Sequence, residues 1–418
     1  MFKWLYGCWW LVYSLCWSSH VCGQHTPKPP YVLLVSFDGF RHDYVEKYDL
    51  PFFKQFISEG VQAKALIPSF PSKTFPNHYT IITGMYPGNH GLVDNSFYDK
   101  KRGEIYKMSN RNQVEDPYWY GGTPLWQLAQ RNGYKTASYY WVGSEAPLLG
   151  IYPTYYFRYD GAAPNEKRID QVIDWWKLPE SERPQLITLY FSLADETGHT
   201  YGPNSKQMQQ TALRTDSLVG YLMKRLKEID LPIDVILASD HGMVEMKKVM
   251  ENFIPIEDYT DLSDSTIHVA QNAFDVHIYC DNQSKLDIIY RQLKAKATHY
   301  SVYKRAEILK EFHYNSHERI GDILITTEPP YMVGIGNWIK KPYFAATFGQ
   351  HGSNPYTNSD LHGIFYARGV SFKQGLKIPA FQNIHIYPLI AHLLHLPIPP
   401  DIDGKLKVLQ KTLQKNGK

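Results

Sequence analysis

Three short apolar runs constrain this chain more than any other feature. Tyr31 to Phe37, Leu186 to Leu193 and Val235 to Ala238 are rich in β-branched residues, and such runs read as strands buried on both faces of a parallel sheet. Each leads into an aspartate: Asp38, Asp195 and Asp240. In open α/β sheets ligands bind beyond the carboxyl ends of the strands, so the three carboxylates are expected to meet in one crevice. Carboxylates that close raise one another's pKa unless cations are present. Histidines stand in the same or later segments: His199 in LADETGH, His241 directly after Asp240, and His351 in GQHG. Six nitrogen and oxygen ligands suit two zinc ions, each with three protein ligands and one open position. The combination predicts a two-metal hydrolase.

Taken singly, each fragment has a plainer explanation. An Asp-Gly step after a strand, as at Asp38, is commonly a turn, and an Asp-x-x-x-His pair such as Asp195 and His199 arises by chance. The argument rests on their joint occurrence, in a chain whose other histidines show no comparable sequence setting. The nucleophile is expected close by, in FPSKTFPNHYTIITG. Thr74 lies there between Lys73 and Phe75, flanked by Pro71 and Pro76. That pattern reads as a tight loop entering a helix N-terminus, a setting that favours an anion. A threonine hydroxyl is a poor nucleophile unless a metal lowers its pKa. The plainer role for Thr74 is an N-cap.

The segments SFDGF, SKTFPNHYTIITG, NHGLVDNSFYD, DETGHTYGP, SDHGM and GQHG occur in that order. Together they resemble the ectonucleotide pyrophosphatase/phosphodiesterase family of the alkaline phosphatase superfamily, from about Tyr31 to Asp401. The resemblance implies an α/β, alkaline phosphatase-like core with a central, mainly parallel sheet flanked by helices, plus a cap or insertion at about 245–345. It implies Asp195, His199 and His351 as ligands of one zinc and Asp38, Asp240 and His241 as ligands of the other. Thr74 would bridge toward the second zinc as nucleophile, giving a phosphothreonine intermediate. Asn95 matches an asparagine that donates to a phosphate oxygen.

The resemblance also bears on substrate. Nucleotide-cleaving members keep a stretch after a Trp-containing strand, present here from Trp141 to Arg168. Within it Tyr159 matches a tyrosine that stacks on the nucleobase, with Phe75 on the other face, and Trp141 joins them as a substrate-binding residue. Gly121 lies where vertebrate members carry a lysine near the base, so no base preference is implied. No arginine occurs between Arg41 and Arg102 to clamp the extra charge of a monoester. A nucleotide diester or pyrophosphate, of the nucleoside triphosphate or dinucleotide type, is the expected substrate. Choline- or glycerol-type phosphodiesters held by an aromatic cage, or a phosphomonoester, are the alternatives on the same core. A purely adhesive role would call for a missing ligand, and none is missing.

The chain has 418 residues, 43% of them hydrophobic, enough for one large α/β domain with a cap. Residues 1–23 read as a secretory signal, 24–30 as a linker, 31–405 as the catalytic domain and 406–418 as a tail. Three of the four cysteines fall in the leader, leaving Cys280 and no intrachain disulfide in the mature chain. A secreted or bacterial periplasmic enzyme is expected, without stable membrane insertion. The net charge is only +3 and no basic stripe occurs, so polymeric nucleic acid is not an expected partner.

Overall fold

A computed structural model describes Met1, residues 28–336 and residues 346–414. Apart from Met1, the expected signal peptide, with Cys8, Cys16 and Cys22, and all but the end of the expected linker lie outside the described residues. Eight strands form the central sheet, in the order Leu376–Ile378, Val61–Ala63, Phe365–Gly369, Ile233–Ala238, Tyr31–Phe37, Pro184–Phe191, Lys135–Tyr139, Tyr155–Phe157. Phe365–Gly369 runs antiparallel to both neighbours, and the other pairings are parallel. This is the expected α/β class with a mainly parallel sheet.

The apolar run of Tyr31–Phe37 follows from its position. Every residue in it is buried, and successive side chains point to opposite faces. Val32 and Leu34 enter one core with Ile81, Ile82, Leu125 and Leu389, from helices Thr74–Thr83, Leu125–Arg131 and Ile386–Leu393. Leu33, Val35 and Phe37 enter the other with Phe53, Trp175 and Leu218, from helices Pro51–Ser58, Asn165–Lys177 and Lys206–Leu226. Burial of each such aliphatic side chain contributes roughly 1.5–3 kcal/mol, so a charge at Val35 would disrupt the second of these cores. The parallel register pairs Phe37 with Phe191 and Ser36 with Ala238. All three strands therefore stop at one level, and the residues that follow them share one edge.

Between Ile233–Ala238 and Phe365–Gly369 the chain builds a second, four-stranded antiparallel sheet. Its order is Ile267–Gln271, Asp275–Cys280, Ile323–Thr327, Tyr300–Lys304. Helix Gln283–Lys296 packs on it through Leu286, Ile289 and Leu293, and Cys280 is buried there with a free thiol. An antiparallel ribbon of Val244–Lys247 and Thr347–Gln350 then returns the chain to the main sheet. The described residues run past Lys405, the expected end of the catalytic domain. Two 3₁₀ turns, Leu406–Val408 and Gln410–Thr412, bury Leu409 and Thr412, because an apolar residue at 409 has a core to enter. Among the described residues no helix is long and apolar enough to cross a membrane.

Candidate active site

Asp38 follows directly on the central strand, with its amide donating to Phe191 O at 2.9 Å. Tyr190 Oη donates to Asp38 Oδ2 at 2.6 Å. Asp240 follows Ile233–Ala238 by two residues, and its Oδ1 accepts from Gly39 N at 3.3 Å. Gly39 has φ +67°, and a Cβ there would lie 2.9 Å from Asp195 Cα, so this close approach requires glycine. Asp195 is not at a strand end. The strand stops at Phe191, and Asp195 lies in the first turn of helix Leu193–Tyr201. One turn on, His199 Nε2 is 3.3 Å from Asp195 Oδ1. His351 enters from the end of the returning ribbon, with Nε2 3.2 Å from His199 Nε2 and 3.6 Å from Asp195 Oδ1. His241 Nε2 lies 3.1 Å from Asp240 Oδ2 and 3.4 Å from Asp38 Oδ1. Its ring stacks on that of His351 at 3.6 Å. The six side chains thus form one continuous cluster.

Thr74 is the first residue of helix Thr74–Thr83, and the N-cap is Lys73. Pro76 falls in the first turn, where its missing N–H costs nothing. The Thr74 hydroxyl is therefore not spent on capping and lies 3.1 Å from His241 Nε2. Lys73 does not turn to the cleft. Its ammonium donates to His351 O at 2.9 Å and to Asn272 O at 2.6 Å.

Whether the cluster suits metal ions is decided by its unpaired carboxylate oxygens together with the tautomers of its histidines. Asp38 Oδ1, Asp195 Oδ1 and Asp240 Oδ2 are buried without a hydrogen-bonding partner among the described residues, a state costing about 1–3 kcal/mol per atom unless a cation compensates. The histidines are oriented for ligation. Nδ1–H of His199 donates to Gly349 O, that of His241 to Gly242 O and that of His351 to Ser72 O, at 3.0, 2.8 and 2.8 Å. Each carbonyl fixes the tautomer whose Nε2 lone pair faces the cluster. Burial holds His241 down to about 3 and His351 well below its ordinary value, so both stay neutral. Burial and the neighbouring carboxylates push Asp38 and Asp240 well up. At Asp195 burial acts the same way, but the positive charge that His199, His351 and His241 carry when protonated outweighs it and holds the carboxyl below the usual range. The donor set fits divalent metal.

Two residues of this region escaped the sequence reading. Tyr190 is one; the other is His78, fully buried with Nδ1 3.3 Å from Asp240 Oδ2. Both its ring nitrogens are occupied, Nδ1–H by Thr74 O at 2.9 Å and Nε2 by the Ser36 hydroxyl at 2.8 Å. His78 therefore braces the turn that carries Thr74 and has no lone pair to offer a metal. Its place one helical turn after Thr74 was the only hint of this in the sequence.

A cavity of about 350 Å³ opens onto the cluster, lined by Asp38, Thr74 and Asp195 at its base and by Phe75, Tyr140 and Tyr159 on its sides. Tyr159 is 39% exposed and meets Tyr140 edge-on at 5.2 Å. Trp141 also lines the cavity but is almost wholly buried, and its indole N–H donates to His78 O at 3.1 Å. It is a rigid wall rather than an exposed platform. Gly121 lies outside this lining, with its amide on His90 O. Asn95 is outside it too, yet its Oδ1 accepts from Phe75 N at 3.0 Å, beside Thr74.

The sequence profile described as Type I phosphodiesterase / nucleotide pyrophosphatase matches residues 32–354. The chain belongs to that family. As a member of it, the chain is 34% identical over 394 residues to ectonucleotide pyrophosphatase/phosphodiesterase family member 1 of Homo sapiens, covering 91% of this chain and 41% of the relative. It is 31% identical over 394 residues to the venom phosphodiesterase of Naja atra, covering 92% and 46%. This family member thus spans less than half the length of these relatives. Among solved structures, murine ectonucleotide pyrophosphatase/phosphodiesterase 5 superimposes with a TM-score of 0.84 at 29% identity, covering 92% of this chain and 100% of that one. An inactive threonine-to-alanine form of the murine protein is known in complex with AMP, and matches equally well.

Proposed function

We propose that this family member is a two-zinc nucleotide pyrophosphatase/phosphodiesterase, hydrolysing nucleotide phosphodiester and pyrophosphate bonds to release nucleoside 5′-monophosphates through a phosphothreonine. The observation that carries the reading is the Thr74 hydroxyl, uncommitted to a cap, 3.1 Å from His241 Nε2 over carboxylate oxygens that lack partners. Asp195, His199 and His351 would hold one zinc, and Asp38, Asp240 and His241, with Thr74, the other. When bound, zinc supplies positive charge that lowers the pKa of a hydroxyl and stabilises charge on phosphate oxygens.

The rest is the work of the chain's own residues. Thr74 Oγ1 forms the new bond to phosphorus as the bond to the leaving oxygen breaks, and water then displaces Thr74 from the phosphothreonine. Asn95 has its Oδ1 committed to Phe75 N, which leaves Nδ2 as the donor for a phosphate oxygen. Phe75 and Tyr159 face the cavity as stacking surfaces for a base. The guanidinium in the lining, Arg111, is already paired with Glu145 and Glu115, which favours a diester over a doubly charged monoester. The AMP held by the murine relative supports a nucleotide. Export directed by residues 1–23 belongs to the same reading, and N-terminal sequencing of the processed protein tests it.

The deciding assay compares cleavage of nitrophenyl thymidine 5′-monophosphate, nitrophenyl phosphate and nitrophenyl phosphocholine by the zinc-loaded chain and by Thr74→Ala. Preference for the nucleotide diester, abolished in the variant, is expected. Equal turnover by Thr74→Ala would overturn the mechanism, and preference for another substrate would overturn the pocket assignment.

A further inference from the structure

A second cluster of buried acids and imidazole lies behind Asn95. Asp94, Asp275 and His277 are each at most 1% exposed. His277 Nε2 stands 3.6 Å from Asp94 Oδ2 and 3.5 Å from Asp275 Oδ1, and the ligand-type atoms of the three lie within 4.8 Å of one another. Distance alone would suggest a metal triad. The other ring nitrogen argues against it. Gly321 N–H donates to His277 Nδ1 at 3.1 Å, so the lone pair is on Nδ1 and the ring proton on Nε2, facing the two carboxylates. A metal at Nε2 would move that proton to Nδ1, against the Gly321 N–H.

The trio therefore holds protons rather than a cation. Burial, with Asp275 alongside, pushes Asp94 up to about 7. Burial lowers His277, but Asp275 and Asp94 outweigh it and hold the ring up to about 9. Both shifts favour a proton between Nε2 and the carboxylates, on the side of the ring that the Gly321 N–H leaves to it. Lys73 is the nearby cation, and Tyr279 and Tyr314 pack around the group with their hydroxyls committed to Arg319 O and Val93 O.

The trio joins two parts of the molecule. Asp94 precedes Asn95, whereas Asp275 and His277 lie on strand Asp275–Cys280 of the inserted sheet. Asp94 Oδ1 accepts from Asn95 N at 2.6 Å. Asn272, just before that strand, donates to Ser96 O at 3.1 Å and to Asp275 Oδ1 at 3.3 Å. Its carbonyl accepts from Lys73, the residue before Thr74. Asn95 is thus gripped on both backbone flanks by groups that the inserted sheet anchors. We infer that Asp94, His277 and Asp275 are positioning residues for Asn95, aiming its amide at a phosphate oxygen in the transition state. The inference rests on the role proposed for Asn95.

A double-mutant cycle on the zinc-loaded full chain tests it. His277→Leu is expected to lower kcat about tenfold with KM unchanged, and His277→Gln, whose amide N–H can replace Nε2–H, to recover most of that loss. In an Asn95→Ala background, His277→Leu is expected to cost nothing further. The same loss in both backgrounds would overturn the inference while leaving the role of Asn95 intact. Asn95→Ala with parental turnover would instead overturn that role. If His277→Leu melts too early to assay, Asp275→Asn carries the same expectations. Zinc content per chain is expected to be unchanged in these variants, and loss of one ion from His277→Leu would make the trio a metal site.

Discussion

His199, His241 and His351 each donate Nδ1–H to a main-chain carbonyl, whereas His277 accepts a main-chain N–H at the same atom. His241 and His277 are equally buried, and both face aspartates across 3.1–3.6 Å. Burial and acid neighbours therefore do not distinguish a ligand from a proton carrier. The remote nitrogen does, because its partner decides which nitrogen carries the lone pair. His78 completes the series, since both its nitrogens are taken and it can serve neither role.

The sharpest break of that comparison would come from His351→Ala. It is expected to lose one zinc per chain and about a thousandfold in turnover, as removal of a metal ligand should. Retention of the parental zinc content, measured by atomic absorption, would remove the distinction from His277. Stripping zinc with a chelator should next lower the melting temperature, since Asp38 and Asp240 would face each other uncompensated; an unchanged melt would show that their unpaired oxygens do not hold cations. At the cavity wall, Tyr159→Ala should raise KM for nucleotide substrates by about five- to 150-fold, in line with about 1–3 kcal/mol of stacking, and leave kcat nearly intact. A fall in kcat alone would move Tyr159 out of the base site.

The smallest effect concerns Asp234, near the amino end of the strand that leads to Asp240. It is buried with Oδ2 unpartnered among the described residues and has no histidine beside it, and burial pushes it up to about 6. A folded pKa above the ordinary 3.8 means that this stability is present below about 3.8 and lost as pH rises through about 6. The contribution of Asp234 itself is therefore smaller at pH 8 than at pH 5. Relative to the parent, Asp234→Asn should raise the melting temperature by roughly a few degrees more at pH 8 than at pH 5, and an equal shift at both would leave Asp234 no part in the pH dependence.

The runs ending near Asp38 and Asp240 were legible because a strand buried on both faces must be apolar throughout, a property of consecutive residues. Leu193 was misassigned because an apolar residue opening a helix looks the same in sequence as one ending a strand. Leu409 went unread because the core it enters comes from distant segments. His277 sits in a strand-like FDVHIYC and His78 in a helical run, and neither setting announces an aspartate far away in the chain. From the sequence alone came the sheet, the aspartates at its edge, the histidines that join them and the threonine at a helix start, all set by local pattern and spacing. Only the tertiary structure decided which histidines can bind metal, because a ring nitrogen's partner is a main-chain atom, and in Gly349, Ser72 and Gly321 that atom is brought in from another segment of the fold.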